Sequence, residues 1–234
     1  MARFVLVHGG GHGGWCWDAL GQRLRAAGHE VHAPTLKGLA ERFGELEPGI
    51  DLSVHVAEVA GLLASLPGKA VLVGHSYGGM VISGAAAAVP ERIARLVYLD
   101  AAIPLDGEAL LDVSPGLAAL AGETREEAGV LLGLWPDART LAIYGLEGEM
   151  AERAMARLTP HPWACFTQPL VLAQPQALAQ VPRAILNCTA TLAARPAAIR
   201  HRWSEGDVVE EIAAPHDLML THPDAVAEFL LRLV

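Results

Sequence analysis

Short, fully apolar runs alternate along this chain with longer amphipathic stretches. Phe4 to Val7 is an apolar run of the length of a buried strand, and the loop His8-Gly9-Gly10-Gly11-His12-Gly13-Gly14 follows it. Trp15 to Ala27 predicts a helix stopped by Gly28, and Glu30 to Ala33 a second strand ended by Pro34. Leu36 to Gly49 is loop-rich. Asp51 or Ser53 is placed to cap a helix that runs to about Leu66. Pro67-Gly68 turns the chain into a third apolar run, Ala70 to Val73. A helix of small residues from Tyr77 to Val89 is broken by Pro90, and Arg95 to Asp100 forms a further apolar strand. Strands and helices alternating in this way predict a parallel sheet covered on both faces.

From about Pro104 to Pro182 the rhythm changes to helical pieces rich in Leu, Ala and Glu, with no clear strand. This stretch is expected to form a lid over the rim of the sheet. Alternation resumes at Ala184 to Cys188 and at Val208 to Ile212. Pro223 to Leu233 predicts a closing helix, with Thr221 or His222 near its cap and Pro223 close to its first position. With no internal repeat and no low-complexity linker, the expectation is one α/β domain over residues 1–234 with a helical cap inserted at about 104–182.

Composition narrows the partners. The chain has 234 residues, 52% hydrophobic and 18% charged, enough for one large core and short for two domains. Its formal charge of −9, with no basic cluster, argues against nucleic acid and anionic membrane surfaces. No leader is expected before the first strand, and no run has the length of a membrane span. Cys16, Cys165 and Cys188 are odd in number and far apart, which suits a reducing cytoplasm, and no pair has metal-ligand spacing. No metal or organic cofactor is implied, because nothing resembles a phosphate-binding loop or a metal cluster. A homodimer is left open.

The candidate chemistry centres on Gly74-His75-Ser76-Tyr77-Gly78-Gly79, a Gly-x-Ser-x-Gly turn between the third strand and the helix after it. That setting is a nucleophile elbow, which holds a serine Oγ clear of the sheet. Gly74 and Gly78 lack a Cβ so that strand and helix can pass closely, and the helix N-terminus faces any oxyanion formed at Ser76. A serine hydroxyl needs an oriented base and oxyanion donors. The Gly10 and Tyr77 N–H groups are the candidate donors. The base should lie late in the chain, and among ten histidines His216, between the last strand and the closing helix, fits best, with His222 its rival. His161 in the cap is a pocket candidate. His75 is expected to point away and pack. His8 and His12 are expected to be structural or pocket-lining.

Phe4-Val5-Leu6-Val7-His8-Gly9, Gly13-Gly14-Trp15-x-Trp17, Gly28-His29-x-Val31-x-Ala33-Pro34-Thr35-Leu36-x-Gly38, the elbow, Leu158-Thr159-Pro160 with Pro162, and His216 followed by Pro223 together resemble the α/β-hydrolase family that contains plant methyl-ester esterases and hydroxynitrile lyases. The similarity covers nearly the whole chain and is nearest to bacterial hydrolases. It implies an α/β-hydrolase fold: a mostly parallel central sheet, helices on both faces, and a helical cap inserted after strand six. It also implies a serine esterase with Ser76 as nucleophile, His216 as base, and Gly10 with Tyr77 as the oxyanion hole.

Two departures matter. The family's aspartate usually follows the strand placed at Ala184 to Cys188, but Thr189 to Pro196 carries no carboxylate. Asp100, at the end of the strand beside the elbow strand, is the natural substitute, with Asp106 weaker and Asp207 and Asp217 weaker still. The lyases place a lysine directly after the histidine and a threonine in the oxyanion loop, where this chain has Asp217 and Gly9, which disfavours cyanohydrin cleavage. The expected substrate is a small hydrophobic ester in a pocket drawn from Gly11, His12, Trp15, Trp135, His161, Trp163 and Phe166. The competing readings are a lyase or cyclase of secondary metabolism that needs His216 but not Ser76, and a ligand-binding protein with negligible turnover.

Overall fold

The computed structural model describes residues 1–120 and 123–234. Six strands form the central sheet: β1 (Arg3–Val7), β2 (Glu30–His32), β3 (Ala70–His75), β4 (Ile93–Leu99) and, after a long insertion, two more. Between the first four run α1 (Asp18–Ala26), α2 (Leu52–Ser65) and α3 (Gly78–Ala88). The stretch after β4 holds α4 (Leu110–Val113), α5 (Leu117–Leu120), β5 (Arg125–Glu127), β6 (Val130–Gly133), α6 (Ala138–Tyr144), α7 (Gly148–Met155), β7 (His161–Pro162), α8 (Ala164–Thr167) and α9 (Pro175–Leu178). The chain then returns through β8 (Arg183–Cys188), α10 (Thr189–Ala194), β9 (Val208–Ile212), α11 (Leu218–Thr221) and α12 (Pro223–Leu231). Sheet order is β2-β1-β3-β4-β8-β9, and all five pairings are parallel.

Alternation along each strand divides the core. Phe4, Leu6, Val71, Val73, Val97, Leu99, Ala184 and Leu186 point to the face covered by α1 and α12, where Leu20, Leu24, Val226 and Phe229 meet them. Val5, Val7, Leu72, Leu96, Tyr98 and Ile185 point to the other face, under Val59, Leu63, Met80, Val81 and Ile82 of α2 and α3. Both faces are buried, so the strands read as continuous apolar runs. No described helix is long and apolar enough to cross a membrane.

Three expectations are corrected. The insertion between β4 and β8 holds the elements from α4 to α9, and residues 121 and 122 within it lie outside the described residues. It is not purely helical, however, because β5, β6 and β7 form a small antiparallel sheet. Glu126 and Glu127 disguise β5. What makes the hairpin is the pair Ala128-Gly129, both with positive φ (51° and 74°), the twist that a two-residue hairpin turn requires. The sheet has six strands, so the strand preceding the cap is the fourth along the chain rather than the sixth. Finally, the helix expected from Trp15 begins as a 3₁₀ turn, Gly14–Trp17, before α1 takes over. Asp51, not Ser53, caps α2 by accepting from the Val54 N–H at 3.1 Å.

Candidate active site

Ser76 directly follows β3 with φ of +53°, a left-handed conformation that a non-glycine residue adopts only under constraint. The constraint is close backbone contact. A Cβ at Gly74 would come within 2.7 Å of the Gly78 carbonyl oxygen, and one at Gly78 within 2.5 Å of the Val7 carbonyl oxygen. The neighbouring strand β4 is followed in the same way by Asp100, with φ of +44°. Two adjacent parallel strands thus each lift one side chain at the carboxyl rim, where open α/β sheets gather their ligands.

Between them sits His216, in the loop after β9. Its Nε2 lies 3.0 Å from Ser76 Oγ and its Nδ1 2.5 Å from Asp100 Oδ2. The carboxylate holds the proton on Nδ1, which leaves Nε2 free to accept from the serine hydroxyl. Burial alone would lower the His216 pKa, but the facing Asp100 charge and its hydrogen bond outweigh burial and raise it. Burial alone would raise Asp100, but His216 and then Arg195 outweigh that and hold the carboxyl at about 2. Asp106 accepts from the Leu172 N–H and Asp207 from the Arg183 N–H, both away from His216. Asp217 is buried against His12, and His222 caps α12 beside Thr221.

Ser76, Asp100 and His216 open onto a cavity of about 520 Å³ together with Gly10 and Tyr77. Among the described residues, neither the Gly10 nor the Tyr77 N–H donates to another protein group. His8 Nδ1–H donates to the Gly9 carbonyl at 2.9 Å, and its Nε2 accepts from the Leu36 N–H. Burial pushes His8 down to about 3, so it stays neutral. A trans peptide is planar, so anchoring the Gly9 C=O aims the Gly10 N–H the opposite way. His75 packs as expected. Burial lowers it to about 3, and its Nε2–H donates to the His216 carbonyl at 3.0 Å.

The pocket differs from expectation. Of the residues nominated to line it, only Phe166 does. His161 stacks behind Phe166 at 4.5 Å and accepts the Gly11 N–H on Nδ1, while Trp163 meets the Phe166 edge at 5.5 Å, so Phe166 screens both. Trp15 is wedged between the His12 ring and the Arg157 guanidinium, and Trp135 lies beside Arg125. Gly11 and His12 belong to the rear of the loop, turned to His161 and Asp217. The wall is built instead from Leu110, Leu117, Leu134, Ile143 and Tyr144 of the cap and from Arg195 beside α10. The ligand atoms of His55, His161 and Cys165 lie within 4.8 Å of one another. His55 Nδ1, however, accepts from the Tyr77 hydroxyl, and His161 Nδ1 is taken by Gly11.

Sequence reasoning missed Arg195. Buried against the Trp203 ring at 4.1 Å, it reaches Asp100 Oδ1 at 3.4 Å and the Ala101 carbonyl at 3.3 Å. The available signal was its position: it stands in the same loop that lacks the expected carboxylate. A cation there faces the Asp100 carboxylate at the end of the adjacent strand.

Comparison with known proteins places the chain among relatives and solved folds. The chain is 45% identical over 116 residues to a carbendazim hydrolyzing esterase of Nocardioides sp. (strain SG-4G), covering 49% of this chain and 48% of the relative. It is 36% identical over 119 residues to a pyrethroid hydrolase of Sphingobium wenxiniae, covering 51% and 41%. The chain thus spans about half the length of the curated relatives it matches. Among solved structures, polyneuridine aldehyde esterase superposes with a TM-score of 0.79 at 25% identity, over 100% of this chain and 99% of that one. The profile of the alpha/beta hydrolase family matches residues 4–229, and the chain belongs to that family.

Proposed function

We propose that the protein is a serine carboxylesterase acting on small hydrophobic esters through an acyl-serine intermediate. The observation that carries this reading is the unbroken relay Asp100–His216–Ser76 opening onto a mainly apolar cavity beside two uncommitted backbone donors. His216 Nε2 takes the Ser76 proton as Oγ bonds to the ester carbonyl carbon, and the carbonyl electron pair moves onto oxygen. The Gly10 and Tyr77 N–H groups hold that oxyanion. Collapse expels the alcohol, which leaves with the proton from His216. Water then attacks the acyl-enzyme by the same route and releases the acid. Asp100 stays ionised and steadies the imidazolium.

The relatives, a carbendazim hydrolyzing esterase and a pyrethroid hydrolase, support the hydrolase reading. The lyase reading is weakened by Asp217: it is wholly buried against His12, so position 217 offers no cation to the cavity. Buried, unbridged Cys16, Cys165 and Cys188 support a reducing compartment such as the cytoplasm.

A fluorophosphonate probe tests the assignment. It should label one residue, Ser76, located by peptide mass, and block hydrolysis of p-nitrophenyl butyrate in step, while Ser76→Ala should neither label nor turn over. Labelling elsewhere, or hydrolysis surviving in Ser76→Ala, would remove the serine mechanism.

A further inference from the structure

The oxyanion loop is gripped from behind by a second histidine–aspartate pair. His12 Nδ1 lies 2.8 Å from the Gly10 carbonyl, which also accepts the Tyr144 hydroxyl at 2.8 Å. On its other side His12 Nε2 meets Asp217 Oδ2 at 2.9 Å, and the Asp217 N–H donates to the Tyr144 carbonyl at 3.1 Å. The His12 and Asp217 side chains have no exposed surface. A carbonyl only accepts, so His12 Nδ1–H donates to Gly10, and Nε2 faces the Asp217 carboxylate on the other side of the ring.

We propose that His12, held by Asp217, is a positioning residue: by anchoring the Gly10 carbonyl, on the peptide that follows Gly10, it fixes the backbone of Gly10, whose N–H on the preceding peptide serves the oxyanion. The inference rests on the serine-esterase reading and assigns a task to two groups that the relay does not use. A buried ionisable pair is weak evidence for a stabilising role, since apolar residues of the same volume often do as well or better. Its place does suit the chemistry. His12 is two residues from Gly10, and Asp217 is the residue after His216. One two-residue segment therefore delivers the base to Ser76 and the anchor to the oxyanion loop. A shift of the loop would misplace one donor while leaving the apolar cavity intact.

The test compares turnover with the binding of an alkyl trifluoromethyl ketone. Ser76 Oγ bonds to its carbonyl carbon, the serine proton passes to His216, and the oxygen becomes an anion held by the Gly10 and Tyr77 N–H groups. Its affinity therefore reads the oxyanion hole. His12→Phe keeps a ring but no donor, and His12→Asn places an amide N–H where Nδ1–H was. His12→Phe should lose about 10²-fold in kcat and a like factor in fluoroketone affinity, with KM changed less than about threefold. His12→Asn should recover most of both. Should His12→Phe fail to fold, Asp217→Asn should still lose about tenfold in both quantities at a near-native Tm. Equal loss in the Phe and Asn variants, a change in KM alone, or wild-type values throughout would overturn the inference. If wild type neither turns over butyrate esters nor binds the fluoroketone, the esterase reading falls and the inference with it. An active wild type with unaffected variants sinks only the inference.

Discussion

His216 is shaped by opposing influences that set its pH behaviour. Burial favours its neutral form, whereas Asp100 at 2.5 Å favours the imidazolium and prevails. In the proposed mechanism hydrolysis needs the neutral ring, so kcat/KM should rise with pH through a midpoint above the ordinary histidine value of about 6.5. Arg195 acts in the opposite sense, since its charge lowers the His216 pKa. Arg195→Met should therefore move the acid limb to higher pH as well as reduce turnover, as a pH series with p-nitrophenyl butyrate would report. A limb that stays put or moves down would remove Arg195 from the electrostatics of the relay. This residue was hidden in the sequence because its meaning depends on β4 and β8 being neighbours, which no local pattern states.

At the scale of elements, the elbow is held by backbone contact that a single methyl group would break. Gly78→Ala should cost about 1–3 kcal/mol through overpacking against the Val7 carbonyl, seen as a fall in Tm and in activity together. Asp51 joins two elements: it caps α2 and accepts Gln168 Nε2 from the cap at 2.9 Å. Asp51→Ala should lose about 1 kcal/mol by urea titration. A result within a few tenths would mean that water replaces both bonds. Strands and elbow were legible because their signals are local: apolar runs, stop residues, a glycine pair around a serine. The cap hairpin was not, since β7 is two residues long and β5 is glutamate-rich. The pocket aromatics failed for a related reason. Trp15, Trp163 and His161 are rings near the rim, but their partners are other rings, an arginine and the Gly11 N–H, and only tertiary packing decides that Phe166 screens two of them.

Across the whole molecule, the sheet brings the candidate site together from distant segments: Gly10 after β1, Ser76 after β3, Asp100 after β4 and His216 after β9, under a cap inserted between β4 and β8. An acid moved by one strand would still face His216, because β4 and β8 are paired and end at the same rim. The cap supplies mainly aliphatic walls, so kcat/KM should be higher for p-nitrophenyl butyrate than for acetate and at least about tenfold lower for an acyl chain ending in a carboxylate, whose burial is costly. The relay itself is tested most directly by kcat/KM for p-nitrophenyl butyrate in Asp100→Asn beside wild type, with Tm recorded for both. A fall of about 10³–10⁴-fold at a Tm within a few degrees is expected if Asp100 orients His216. Activity within about tenfold of wild type would contradict that role.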